Sequence, residues 1–157
     1  MALTVSNQPA AADFFFKVYA GTRREEVAAW GWGTAEQEAF LRLQFDLQQR
    51  AYSFQYPGAD HSVILHDCHP VGRLIVDRTG SEIHLIDLAL LPAYRNAGLG
   101  AALVRLLQAE AAEQARPVRL QVMKGNPARR LYERLGFRLS GENETHAALV
   151  WCPEGPA

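Results

Sequence analysis

The chemistry of this chain concentrates where an apolar run gives way to Arg95-Asn96-Ala97-Gly98-Leu99-Gly100. Ile83, Leu85, Ile86, Leu88, Ala89, Leu90 and Leu91 form the run, which reads as a strand buried on both faces. Pro92 ends it, because proline cannot donate a ladder hydrogen bond. Leu99, Leu103, Leu106 and Leu107 then recur at helical spacing. A strand, a glycine-bearing turn and a helix N-terminus make an anion site: the first N–H groups of a helix lack internal partners and carry the positive end of its dipole. Gly98 and Gly100 would admit a phosphate to the backbone of this turn. Arg95 adds a guanidinium whose fork suits phosphate oxygens. A pyrophosphate is the natural guest, although an ordinary tight strand-to-helix turn would use the same glycines.

Two polar residues interrupt the strand. His84 titrates near neutrality. Asp87, flanked by Ile86 and Leu88, must find partners there or be poised for chemistry. Strict alternation puts the two on opposite faces. Two other phosphate motifs fail on residues. A dinucleotide fingerprint wants a small residue where Leu103 stands and an acidic one near Gln121, Val122 and Met123. A P-loop wants Gly-Lys followed by Ser or Thr, and Gly100 is followed by Ala101 and Ala102.

The remaining pattern is an apolar strand ending in Leu90-Leu91-Pro92-Ala93-Tyr94 and running into Arg95-x-x-Gly98-x-Gly100 and a helix. It resembles the acyl-CoA-binding motif of the GNAT superfamily of N-acetyltransferases. A second stretch, Asn126-Pro127-Ala128-Arg129-Arg130-Leu131-Tyr132-Glu133-Arg134-Leu135-Gly136-Phe137, is similar to that family's last conserved helix, with Tyr132 at its tyrosine position. The resemblance implies acetyl-CoA as acetyl donor and direct transfer to a primary amine of a small molecule or peptide. The turn from Arg95 through Asn96, Ala97, Gly98 and Leu99 to Gly100 would hold the pyrophosphate, and the backbone of Leu88 and Leu90 would meet the pantetheine arm. Asn126 would touch that arm and Arg129 the 3′-phosphate. The residues also permit plainer roles, Asn126 as a helix cap and Arg129 as solvated surface.

Acetyl transfer to an amine needs a base and an acid for the departing thiolate. Tyr132 is the candidate acid, on an inward helical stripe with Ala128, Leu131 and Leu135. His84 is the preferred base or water relay and Asp87 the alternative, since strands of this family often carry a bulge that resets their alternation. The family commonly shapes its acceptor pocket with the first two helices. Here Arg23 to Tyr56 holds Trp30, Trp32, Phe40, Phe45, Tyr52, Phe54 and Tyr56, and the expectation is that Trp30 and Trp32 wall the pocket, with Glu25 and Glu26 near a second amine charge. The same fold could instead serve a regulator that binds acyl-CoA and has lost catalysis.

With 157 residues, 48% of them hydrophobic, one domain spanning 1–157 is sufficient, its first dozen residues being poorly structured. A net charge of -1 gives no general affinity for nucleic acid or membrane surface. The absence of a signal-like N-terminus and the isolated Cys68 and Cys152 suit a cytoplasmic protein without disulfides. A homodimer is one option for its assembly. His66-Asp67-Cys68-His69 has metal-ligating types but falls in a hairpin turn without further ligands, so no metal is expected.

The expected fold is an α/β GNAT-type domain, a mixed sheet of about six to seven strands with about four helices. Phe14 to Tyr19 reads as a first strand and Thr22 to Trp30 as a first helix. Thr34 with Gln37 reads as the capping box of a second helix running to Arg50, and Tyr52 to Gly58 as a loop. Val63–His66, Val71–Val76 and the organising strand make an antiparallel meander. Val118–Val122, after the central helix, must pair parallel to that strand because a helical crossover joins them. A helix over 127–135, then Phe137–Leu139 and His146–Trp151 as strands, complete the chain.

Overall fold

The computed structural model of the protein describes residues 3–7 and 12–153. Seven strands form one mixed sheet in the order β1-β2-β3-β4-β5-β7-β6. The strands are β1 (Leu3–Asn7), β2 (Asp60–His66), β3 (His69–Asp77), β4 (Ile83–Leu90), β5 (Val118–Met123), β6 (Arg138–Glu142) and β7 (His146–Trp151). The helices are α1 (Ala12–Ala28), α2 (Thr34–Gln55), α3 (Leu99–Glu113) and α4 (Ala128–Arg134), with a single 3-10 turn at Pro92–Tyr94. Among the described residues no helix is long and apolar enough to cross a membrane.

The meander is as expected. Asp67 and Cys68 close β2 onto β3 in a two-residue turn, both with positive φ (51° and 68°), the mirror-image geometry that matches strand twist. β4 and β5 are the parallel pair, joined through α3.

The first strand is corrected. Phe14 to Tyr19 lies inside α1, and the edge strand is Leu3–Asn7, paired antiparallel with β2 within the stretch expected to be poorly structured. The run of phenylalanines has β propensity, but Phe16, Tyr19, Ala20 and Val27 fall on one helical stripe and are all buried. Phe16 and Tyr19 meet Phe45 of α2 at 5.6 Å and 5.8 Å between ring centres, which one helix face can do and one strand cannot. The second helix is also longer than expected. It is capped one residue earlier, at Gly33, whose N–H donates to Glu36 Oε1 at 3.3 Å, and it carries Tyr52 to Gln55 as its last turn in place of a loop.

Two cores flank the sheet. On one face α3 packs Leu99, Leu103, Val104 and Leu107 against Leu74, Val76, Ile83, Leu85 and Leu120, with Tyr132 of α4 and its C-cap Leu135 against the same cluster. On the other, α1 and α2 bury Phe15, Phe16, Tyr19, Leu41 and Phe45 over Val63. The β3–β4 contact is unusually close at Gly72, where a Cβ would fall 2.4 Å from the Ala89 carbonyl oxygen, so no larger residue fits without displacing a strand.

Candidate active site

The parallel pair is short. β4 and β5 register only from Ile83↔Val118 to Leu85↔Leu120, although β4 continues to Leu90 and β5 to Met123. Beyond Leu85 the edge of β4 that faces β5 is open, and the strands part around a cleft of about 350 Å³. Such a crevice beyond the carboxyl ends of parallel strands is where open α/β sheets take ligands.

A bulge decides which side chains line it. β3 and β4 pair Ile75↔Asp87 and then Val76↔Leu85, leaving Ile86 as an extra residue on β4. Leu85 and Leu88 therefore face the α3 core with Val76 and Leu74, while His84 and Asp87 share the opposite face with Asp77 and Ile75. Strict alternation would have separated them. The His84 ring meets the Tyr56 ring edge to face at 5.1 Å. Burial pushes the His84 pKa below its ordinary value, the nearby Asp77 carboxylate opposing that shift, so the imidazole is neutral at physiological pH.

Tyr132 reaches the same cleft from α4, with Phe137 against its ring at 5.8 Å. Burial, and then the charge of Asp87, push its phenol up to about 12, so it holds its proton at physiological pH. The adjoining wall is Tyr52, in the last turn of α2, and its C-cap Tyr56, both in the segment expected to be a loop. Tyr52 is likewise pushed up to about 12, first by burial and then by Asp87. His84, Asp87 and Tyr132 are thus brought together in one cleft, with Asn126 also lining it.

The turn beyond β4 has the geometry of an anion cradle. Asn96 (φ 60°) and Gly98 (φ 83°) are both left-handed, and Gly98 caps α3. Nothing lies within 4 Å of a Cβ built on Gly98, so this glycine answers a backbone requirement and leaves the space above it clear. Ala102 N–H is the first to bond back, to Gly98, so those of Leu99, Gly100 and Ala101 point outward without intrahelical acceptors. With the open edge of β4, these donors fit a pyrophosphate and its amide-bearing arm.

The remaining residues expected at the cofactor have local duties in this structure. Arg95 Nε donates to the Leu90 carbonyl at 3.1 Å and its Nη2 to that of Gly21 at 3.3 Å, clasping the turn to β4 and α1. Asn126 Oδ1 accepts the Ala128 N–H at 2.9 Å, the capping role. Arg129 pairs with Glu133 at 3.2 Å. Trp30 and Trp32 do not line the cleft, contrary to expectation. They stack on one another and on Phe40 with centroid separations of 5.2 to 5.6 Å, because the break at Gly31 folds them back on the start of α2. Glu26 is taken by Arg23 at 2.9 Å.

One residue of the site escaped sequence reading altogether. Arg73, in the apolar run of β3, is buried and donates to Asp87 from both Nε (2.9 Å) and Nη2. A charge inside an otherwise apolar strand was the available signal.

Known structures share this architecture. An acetyltransferase structure from Corynebacterium glutamicum, described as a histone acetyltransferase and related acetyltransferase, superposes with a TM-score of 0.70 at 22% identity, covering 99% of each chain. A PaiA N-acetyltransferase from Thermoplasma acidophilum, solved with coenzyme A, gives 0.69 at 14% identity over 97% of this chain and 99% of its own. The ribosomal-protein-S18-alanine N-acetyltransferase of Escherichia coli gives 0.62 at 18% identity over 99% and 97%. No curated protein matches the chain in sequence. At such identities the likeness is one of fold, and the assignment rests on the sequence model of the acetyltransferase (GNAT) family: it matches residues 20–137, across the cleft, the glycine turn and α4, and the chain belongs to that family.

Proposed function

We propose that this protein moves the acetyl group of acetyl-CoA to a primary amine of a small molecule or peptide, by direct attack and without a covalent acyl-enzyme. The observation that carries the reading is the placement of a neutral imidazole, His84, and a protonated phenol, Tyr132, in the wedge where β4 and β5 part. Acetyl-CoA supplies an activated thioester. The outward N–H groups of Leu99, Gly100 and Ala101 bind its pyrophosphate, with Arg95 bracing the turn they belong to. The open β4 edge at Leu88 and Leu90 receives the arm, as the resemblance implied.

His84, directly or through water, takes the proton from the acceptor's ammonium, so that the amine attacks as a free base. As the C–N bond forms and the C–S bond breaks, Tyr132 gives its proton to the departing sulfur, and the proton shed by the new amide nitrogen passes through water to restore the phenol. Asp87 is the weaker candidate for the base, because its Oδ2 is already engaged by Arg73.

A screen of amines, amino acids and peptides with acetyl-CoA, read as free thiol, tests the assignment. Turnover on at least one acceptor is expected. Binding of acetyl-CoA without turnover on any amine would replace the enzyme with a binding protein.

A further inference from the structure

The largest fully buried side chain among the described residues is a charged one, Arg73, at 1% exposure. Four hydrogen bonds hold its guanidinium. Nε and Nη2 both donate to Asp87 Oδ2, Nη1 donates to Gln49 Oε1 at 3.1 Å, and Nη2 also donates to Gln48 Oε1 at 2.9 Å. The Phe45 ring lies 5.9 Å beneath it. Burying a guanidinium is costly even when it is paired, and an apolar residue of the same shape would often stabilise the fold as well or better. The arrangement therefore asks for a purpose other than stability.

Asp87 shows that purpose. Both bonds from Arg73 converge on Oδ2, while Oδ1 has no hydrogen-bond partner among the described residues and the side chain lines the cleft. The rings of Tyr52 and Tyr56 form the adjoining wall, and among the described residues no Lys or Arg lines the cleft. We propose that Arg73 is a positioning residue that fixes Asp87 as the anchor for the acceptor's ammonium, selecting a cationic amine with an apolar or aromatic body. This inference rests on the acetyl-transfer reading above and concerns the acceptor end of that site.

The geometry explains how. Two N–H groups on one oxygen hold the carboxylate in place and leave the other oxygen free to accept an N–H from the substrate. Gln48 and Gln49 grip the opposite side of the same guanidinium, so the end of α2, with its tyrosine wall, is tied to the carboxylate it faces. Arg73 and Asp87 together are neutral. Selection therefore acts at hydrogen-bond range, and acceptor affinity should change little with salt.

Phenethylamine is a suitable probe, titrated calorimetrically into the protein saturated with CoA. Asp87→Asn is expected to weaken its binding about 10- to 100-fold, the worth of a charge-assisted hydrogen bond, while the uncharged analogue phenylpropanol binds both proteins alike. Arg73→Met should lose the same affinity without losing CoA. The double variant should be no weaker than the worse single one, because both changes remove one interaction. Arg73→Lys keeps the charge without the fork and should be intermediate, serving in place of the methionine variant should that fail to fold. Equal phenethylamine binding by wild type and Asp87→Asn, or losses that multiply in the double variant, would overturn the proposal. Intact amine binding with no thiol released from acetyl-CoA would remove the acetyl-transfer reading and leave the anchor standing. Normal turnover with an indifferent Asp87→Asn would remove the anchor alone.

Discussion

The two ends of the cleft are built in different ways. The donor end is backbone: an open strand edge, a left-handed glycine and three helix N–H groups, all from residues 86–101 in one continuous stretch. The proposed acceptor end is side chain: Tyr52 and Tyr56 from the end of α2 and its cap, Arg73 from β3, His84 and Asp87 from β4 and Tyr132 from α4, gathered from across the chain. Backbone donors bind a phosphate whatever side chains surround them, whereas the acceptor end depends on each residue keeping its rotamer and its neighbour. One end can stay constant while the other changes its substrate.

The sharpest way to break this contrast is at the donor turn. Gly98→Glu and Gly100→Glu place an anion against the pyrophosphate site, and at Gly98 also a side chain on a φ of 83°. Calorimetry should show acetyl-CoA affinity falling by about 100-fold or more. Unchanged affinity in both folded variants would mean that the turn does not bind the donor.

At the acceptor end the larger effect belongs to Tyr132. Tyr132→Phe should lower kcat by about 10²- to 10⁴-fold with acetyl-CoA affinity nearly unchanged, since the hydroxyl acts only as sulfur departs. A wild-type rate, with chemistry limiting, would make Tyr132 a core residue.

His84 is tested by pH. Its pKa is depressed, so the active neutral form persists below the ordinary histidine value and kcat/KM should fall only at more acid pH. That inflection should vanish in His84→Gln. If it persists there and disappears in Asp87→Asn, the proton goes to the carboxylate instead. The same shift acts on stability, because the unfolded chain binds a proton that folded His84 and His61 resist. The urea midpoint should accordingly hold above about pH 6.5 and drop as pH falls through the depressed values. Substituting both histidines by glutamine should reduce the drop.

The smallest effect tests the boundary of the acceptor end. Trp30→Ala and Trp32→Ala should leave the acceptor KM unchanged and cost about 1 kcal/mol of stability each, because the two rings pack on Phe40 outside the cleft. A raised KM would extend the pocket to the α1–α2 connection.

The same contrast explains what could be read beforehand. The donor turn, the parallel crossover and the tyrosine of α4 depend on short spacings, so they were legible in the sequence. The sharing of one face by His84 and Asp87 was not, since it follows from an extra residue at Ile86 seen only against β3. Phe14 to Tyr19 misled because local propensity lost to burial against Phe45, a residue far along the chain. Arg73 went unnoticed because its partners, Gln48, Gln49 and Asp87, lie on two other elements.

The extra residue at Ile86 means that this site is written partly in length. Were Ile86 to take a regular place in the ladder, every catalytic letter would stay in the sequence yet the strand would be turned half a revolution from that point on, sending Asp87 toward the α3 core and Leu88 into the cleft. The faces that β4 shows beyond Leu85 are therefore set by where its bulge falls against β3 as much as by the identity of its side chains.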